Sequence, residues 1–214
     1  RDRSVSRGLG DVYKRQGYAR NPELVINFYN ERRKQLLDVV PNAGHLGVAD
    51  LERDFNVTVV TQNVDNLHER AGSTHVIHLH GELTKVCSSR DPYNPHFVKE
   101  LAPEEYEVKL GDKAGDGTQL RPFIVWFGES VPEIETAIRY VEQADIFVII
   151  GTSLNVYPAA GLLNYVPRAA EVYLIDPKPV DTHVMRPIHV IQKGASEGVK
   201  ELKALLTVTQ PPLP

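Results

Sequence analysis

Beyond residue 16 the apolar positions follow two alternating periods. In "NPELVINFYNERRKQLLDVV", Leu24, Phe28, Leu36 and Val40 recur near helical spacing, Asn21 is placed to cap, and Pro22 suits the first helical position. "PNAGHLGVADLERD" predicts a second helix with Asn42 as its cap. Short β-branched runs follow: "VTVV" ends in polar "TQNVDNLHE", and "VIHL" ends at "HGE". The texture then changes, with "SSRDPYNP" reading as loop and "EEYEVKLGDKAGDGTQL" as a strand, a Gly/Asp turn and a return. Alternation resumes with strand "PFIVWF", helix "PEIETAIRYVEQA", strand "DIFVIIGTS", helix "YPAAGLLNYVP", strands "EVYLID" and "IHVIQ", and helix "SEGVKELKALL". The pattern predicts an α/β fold, a mostly parallel sheet with helices on both faces and a small module inserted at about residues 84–120. "RDRSVSRGLGDVYKRQ" has neither period and a positive bias, so residues 1–16 read as a disordered or non-native leader and 17–214 as the domain.

Composition narrows the function classes. A chain of 214 residues can bury the core of one domain, and 42% hydrophobic and 24% charged residues are ordinary for a globular protein. A net charge of -4, with no clustered basic face outside the leader, argues against nucleic acid as a partner. The longest apolar run, "IFVII", is too short to span a bilayer, and no charged start followed by an apolar stretch suggests secretion. A cytoplasmic protein with no membrane partner is expected. Cys87 is the single cysteine, which excludes an internal disulfide and any site needing several thiolates.

Polar residues concentrate directly after apolar runs, in "TQNVD", "HGE", "WFGE", "GTS" and "DPKP". In an open parallel sheet such strand ends share one edge, where ligands bind. Gly151 allows close backbone approach, and Thr152 and Ser153 can meet a phosphate, although Gly-Thr-Ser is also ordinary turn chemistry. Asp176 stands where nucleotide folds often place an acid on a ribose hydroxyl, and equally where an acid caps a turn before Pro177. Gln62, Asn63 and Asp65 follow a buried strand, where unpaired polar groups are costly; Asp65 also suits a helix cap.

Four histidines crowd "LHERAGSTHVIHLHGE". On a strand His78 and His80 share a face and can chelate a metal, with Glu82 or His96 as a third ligand. His68, on a helix, and His75, in a loop, read as solvated or structural. His80 ends a strand at the polar edge and precedes Gly81, which lets a substrate approach, so a neutral imidazole there can act as a general base. Spacing alone leaves the metal pair and the base both open.

"TQNVDNLHERAG", "HLHGEL", "RPFIVWFGE", "GTSLNVYPAAG" and "IDPKP", in this order over roughly residues 20–210, resemble the motifs of the sirtuins, NAD-dependent protein-lysine deacylases with a Rossmann-like fold. The resemblance implies that His80 is the catalytic base. It places Gln62, Asn63, Val64 and Asp65 at the ribose and nicotinamide side of NAD, and Gly151, Thr152 and Ser153 at its phosphates and ribose. Asp176, Pro177, Lys178 and Ala195 fall on the adenosine portion. Val125, Phe127, Gly128 and Glu129 on one side and Leu154, Asn155 and Val156 on the other match segments that sandwich the substrate peptide by strand addition. The implied partners are NAD and acylated lysine side chains of proteins, and the implied products are nicotinamide, lysine and an O-acyl-ADP-ribose.

Tyr29 and Arg32, three apart in "FYNERR", lie on one helical face. Unaided, they read as a half-buried tyrosine beside a surface arginine. Within the family they resemble the Tyr-x-x-Arg pair of the subgroup that accepts succinyl- and malonyl-lysine, where a guanidinium fork holds the distal carboxylate. Two departures stand out. Most sirtuins bind structural zinc through two cysteine pairs in the insertion, and with Cys87 alone a zinc-free module is expected. The family's glycine-rich "GAGxSxxSG" phosphate loop has no match in residues 1–20, so an N-terminally truncated and impaired fragment, or a non-catalytic NAD or ADP-ribose binding module, stands as the alternative.

Overall fold

The computed structural model describes residues 12–151, 159–179 and 186–209. Its helices in chain order are α1 (Arg15–Arg20), α2 (Pro22–Asp38), α3 (Ala43–Asp50), α4 (Leu67–Ala71), α5 (Ile134–Val141), α6 (Ala159–Leu162) and α7 (Ala195–Thr209). The strands are β1 (Val59–Thr61), β2 (Val76–His78), β3 (Gly81–Ser88), β4 (Lys99–Glu100), β5 (Leu120–Ile124), β6 (Ile146–Ile150), β7 (Glu171–Ile175) and β8 (His189–Ile191). The chain divides into two compact units. The first takes in residues up to 39, 61–66 and 78–132; the second takes in 40–60, 67–77 and those from 133 onward.

In the first unit α2 starts as its sequence dictates: Pro22 holds the first helical position and the Asn21 side chain accepts the Leu24 N–H at 3.0 Å. Its buried apolar face places Ile26 against Val86 and Val108, with Tyr18, Leu101 and Leu120 around them. Two polar residues are buried on the same helix. The Asn30 amide donates to the Val108 carbonyl at 2.8 Å and accepts the Val108 N–H at 3.0 Å. Arg33 donates to the carbonyl of Tyr106 at 2.7 Å and to Asn30 Oδ1 at 2.7 Å.

These bonds explain a departure from the sequence pattern. Residues 106–110 form no strand, because the Asn30 side chain takes both backbone groups of Val108 that a strand partner would have taken. An isolated Lys113–Gln119 bridge and the backbone bonds from Ala114 N to Thr118 O and from Leu120 N to Asp112 O, each at 2.8 Å, mark the expected turn, and β5 follows it. β3 is the centre of an antiparallel sheet, with β4 on one side and β5 on the other. Ser88, at the end of β3, donates to Asp116 Oδ2 at 2.7 Å, and Thr118 donates to Asp116 Oδ1 at 2.7 Å. These bonds, Thr118 first, hold the Asp116 carboxyl down at about 2.

The last residues of the presumed leader belong to the ordered chain. Val12 is 2% exposed, the Tyr13 carbonyl accepts the Phe127 N–H at 3.0 Å, and α1 already starts at Arg15. Pairing to Phe127, over a hundred positions away, gives this stretch an order that its local pattern does not encode.

In the second unit β6, β7 and β8 run parallel, with Ile150 opposite Ile175 and Ile175 opposite Ile191. Tyr173, Ile175 and Ile191 pack with Val199, Leu202 and Leu206 of α7 and with Val48 and Leu51. Gly198 permits this: a Cβ there would lie 2.2 Å from Ile175 Cγ2, so a larger residue would push α7 off the sheet. Asn42 caps α3, accepting from Gly44 N at 2.9 Å and His45 N at 3.1 Å, and Lys203 of α7 pairs with Asp50 at the end of α3. The architecture is α/β and Rossmann-like, with parallel β6–β8 and the antiparallel sheet around β3. Among the described residues no helix is long and apolar enough to cross a membrane.

Candidate active site

β2 stops at His78, so His80 lies in a two-residue turn before β3 rather than on a strand. The turn is pinned on both sides, by the Leu79 N–H to the Thr61 carbonyl and by the Val125 N–H to the His80 carbonyl, each at 2.9 Å. Gly81 has φ of +81°, and a Cβ there would stand 2.1 Å from the Phe123 carbonyl oxygen. Close approach of β5, not room for a substrate, is therefore what requires glycine after His80.

His80 Nδ1 lies 3.2 Å from the Gln62 carbonyl oxygen. A carbonyl can only accept, so this nitrogen carries the proton and the neutral ring keeps its lone pair on Nε2. Burial lowers the His80 pKa below its ordinary 6.5, and the Gln62 hydrogen bond opposes the shift without cancelling it. A ring that is neutral near pH 7 with an unprotonated Nε2 meets the requirement for a general base. His78 makes a matching Nδ1 contact with the Asn63 carbonyl at 3.2 Å, but its Nε2 faces Glu82 Oε1 at 3.8 Å, and Glu82 also pairs with Lys85. His96 is exposed in a short turn at Pro95–Phe97. His68 stacks edge-on with His45, and His75 bonds Thr58 Oγ1 at 2.9 Å, both within the second unit.

The segment after β1 carries two buried polar atoms with no hydrogen-bond partner among the described residues, Gln62 Nε2 and Asn66 Oδ1. Leaving such a group unmet costs about 1–3 kcal/mol, so a stretch that keeps one donor and one acceptor unmet is suited to a polar ligand. Its backbone is nevertheless held: Asn63 N donates to Thr61 Oγ1 at 3.0 Å, and the Val64 carbonyl accepts from Leu83 N at 2.6 Å. Asp65 is half-buried beside them.

Val125, Phe127, Gly128 and Glu129 follow β5 in the same unit. Phe127 is 76% exposed and Gly128 has φ of +88° with open space at its Cβ position. Glu129 points inward. Its two oxygens take Arg121 Nη1 at 2.8 Å and Nη2 at 3.0 Å, and Oε2 also accepts the Trp126 N–H at 3.0 Å. The side chain thus closes the turn and is not free to meet a peptide. The Arg121 guanidinium lies over the Trp126 ring, 3.7 Å from its centroid. The sequence reading missed Arg121 and Trp126; the cue was a charged residue inside the apolar run "LRPFIVWF".

Tyr29 and Arg32 share a helical face but no hydrogen bond joins them. Tyr29 is 4% exposed and its hydroxyl accepts from Trp126 Nε1 at 3.1 Å, while burial pushes its pKa up to about 12. Arg32 is exposed, donates to Gln35 Oε1 at 2.9 Å and lies 5.0 Å from the centroid of the Phe28 ring. Among the described residues no carboxylate pairs with it.

In the second unit, the carboxyl ends of β6 and β7 bring Gly151 and Asp176 to one sheet edge, with Pro177 and Lys178 continuing from it. Gly151 has φ of +63° and donates to the Ile175 carbonyl at 2.9 Å. Asp176 Oδ1 accepts the Lys178 N–H at 2.8 Å, the turn-capping geometry that its sequence context allowed. Ala195 opens α7 three residues after Gln192, which follows β8. Thr152, Ser153, Leu154, Asn155 and Val156 lie outside the described residues.

The sequence and the fold both have known relatives. The Sir2 family model matches residues 6–158. A relative in Bacteroides thetaiotaomicron, an NAD-dependent protein deacylase, is 82% identical over 191 residues, covering 89% of this chain and 82% of its own length. A Helicobacter pylori protein of the same name is 46% identical over 192 residues, covering 90% of this chain and 81% of its own. Among solved structures, a Sir2 homologue in complex with NAD superposes with a TM-score of 0.77 at 35% identity, over 92% of this chain and 77% of that one. A Sir2 protein bound to an acetylated peptide gives 0.75 at 26% identity, over 93% of this chain and 84% of that one. The chain belongs to the Sir2 family.

Proposed function

We propose that this protein removes acyl groups from protein lysines at the expense of NAD, with His80 as the base. The observation that carries the reading is the His80 ring, neutral and fixed by the Gln62 carbonyl so that Nε2 keeps its lone pair. NAD, when bound, would supply the ribose that receives the acyl group, and with one water consumed the products are free lysine, nicotinamide and an O-acyl-ADP-ribose. His80 Nε2 takes a ribose hydroxyl proton. Gln62 and Asn63, with Val64 and Asp65, meet the ribose and nicotinamide side; the buried unpartnered Gln62 Nε2 supports that fit. Gly151, Thr152 and Ser153 serve the phosphates, and Asp176, Pro177, Lys178 and Ala195 the adenosine. The relatives' names and the NAD and peptide complexes of the solved structures support these assignments.

The substrate peptide adds as a strand beside Val125, Phe127, Gly128 and Glu129, and the family motif assigns Leu154, Asn155 and Val156, outside the described residues, to the same substrate. Within this reading, Tyr29 and Arg32 select acyl groups that end in a carboxylate, succinyl and malonyl, with acetyl also accepted. An exposed guanidinium with no carboxylate partner among the described residues supports the choice. The catalytic domain takes in residues 12–16 as well as residues 17–214, with the insertion at about 84–120. The insertion holds without zinc, through Asn30, Arg33 and the Ser88–Asp116–Thr118 bonds. A cytoplasmic location, where NAD is in supply, goes with this reading.

The test is nicotinamide release from NAD with succinyl- and acetyl-lysine peptides. Release that needs the acyl peptide supports the proposal. NAD binding without release would instead favour a non-catalytic nucleotide-binding module. Stoichiometric zinc in the pure protein by elemental analysis would refute the zinc-free insertion.

A further inference from the structure

The bond between Trp126 and Tyr29 fixes more than a distance. An indole N–H can only donate, so in the 3.1 Å contact the Tyr29 hydroxyl is the acceptor. The phenol has one proton, and that proton points away from Trp126. Among the described residues nothing accepts it. Burial raises the Tyr29 pKa to about 12, so the hydroxyl keeps the proton across the working range of pH.

Trp126 is itself held rigidly. It is 2% exposed, its backbone N–H donates to Glu129 Oε2 at 3.0 Å, and its ring lies against the Arg121 guanidinium that Glu129 clamps with both oxygens. A chain of contacts therefore runs from Arg121 through Glu129 and Trp126 to one hydroxyl on α2. The same helix carries Arg32 one turn further on.

We propose that Trp126 is a specificity-positioning residue: by occupying the acceptor side of the Tyr29 hydroxyl it directs the hydroxyl proton to the distal carboxylate of a dicarboxylic acyl-lysine. This rests on the assignment of Tyr29 and Arg32 to the acyl group. Trp126 acts through Tyr29. An acetyl group has no distal oxygen and gains nothing from the directed proton, so the effect belongs to the ratio between the two acyl classes.

The experiment compares kcat/KM for succinyl- and acetyl-lysine peptides in the wild-type protein, Tyr29→Phe, Trp126→Phe and the double variant. Trp126→Phe removes the donor and keeps an aromatic face for Arg121. Each ratio is taken within one preparation, so a lower folded fraction cancels. A hydrogen bond to a charged group corresponds to a loss on the order of tenfold, and the succinyl-to-acetyl ratio is expected to fall by about that factor in Tyr29→Phe and at least severalfold in Trp126→Phe. The double variant should match Tyr29→Phe. An unchanged ratio in Trp126→Phe, or a further fall when Trp126→Phe is added to Tyr29→Phe, overturns the proposal while the assignment of Tyr29 stands. An unchanged ratio in Tyr29→Phe removes the acyl assignment itself and this proposal with it.

Discussion

Arg121 and Glu129 form a two-pronged ion pair, at 2.8 and 3.0 Å, with side chains only 3% and 8% exposed. Burial raises the Glu129 pKa, but the Arg121 bonds outweigh it and the net shift is downward. Arg121 also donates to the Ile124 carbonyl at 2.7 Å, so the pair closes the turn that carries Phe127 and Gly128. Glu129→Gln leaves a buried guanidinium without its counter-charge and is expected to cost about 3–5 kcal/mol. Urea unfolding measures it, and a change below about 1 kcal/mol would show the pair to be dispensable.

The His80 environment predicts a pH profile. Its folded pKa is depressed below 6.5, so the neutral ring survives to lower pH than a free histidine would. The acid limb of kcat/KM should lie below pH 6.5, with activity falling as pH falls through the folded pKa. The linked stability has the same sign. The unfolded chain binds a proton near pH 6.5 while the folded one resists, so His80 contributes stability above that pH and loses it as pH falls through the lower value. His80→Asn should lower turnover by about 10²–10⁴-fold and abolish this limb. An acid limb that persists in His80→Asn assigns it to another group.

Local signals in the sequence were reliable where their physics is local. Asn21 with Pro22, and Asn42 ahead of α3, were readable because a cap acts within one turn. Clustering of polar residues after apolar runs marked strand ends, and Gln62, His80, Gly151 and Asp176 do follow β1, β2, β6 and β7. What the pattern could not carry was pairing between distant positions. Residues 106–110 look like a strand, and only Asn30, 78 positions from Val108, explains why they are not one. The Trp126–Tyr29 bond spans 97 positions, and the order of Val12 and Tyr13 depends on Phe127. The histidines show the same limit, since a period of two put His78 and His80 on one face but could not tell which faces a carboxylate.

Arg32 gives a prediction of substrate class. Its guanidinium is exposed and, among the described residues, meets only the neutral Gln35 side chain and the Phe28 face, so a ligand carboxylate would meet no competing carboxylate there. Arg32→Met keeps the length of the stem and removes the fork. Succinyl-lysine kcat/KM should fall by on the order of tenfold or more relative to acetyl-lysine. Equal losses on both peptides would rule out a carboxylate-binding role for Arg32.

Gly81 tests how the base is positioned. It follows His80 directly, sits at φ +81°, and a Cβ would come within 2.1 Å of the Phe123 carbonyl oxygen, a backbone atom that cannot rotate away. The left-handed conformation alone costs a non-glycine residue about 1–3 kcal/mol, and relieving the clash requires β3 and β5 to part next to the Val125–His80 bond. Gly81→Ala is therefore expected to lose more than about 3 kcal/mol of stability. The folded remainder should also lose activity, because parting the strands frees the His80 carbonyl and tilts the ring away from Gln62. Urea unfolding alongside active-site-normalised turnover separates the two effects. Wild-type turnover in a destabilised variant would show that Gly81 serves the fold alone and that the Gln62–His80 geometry is set elsewhere.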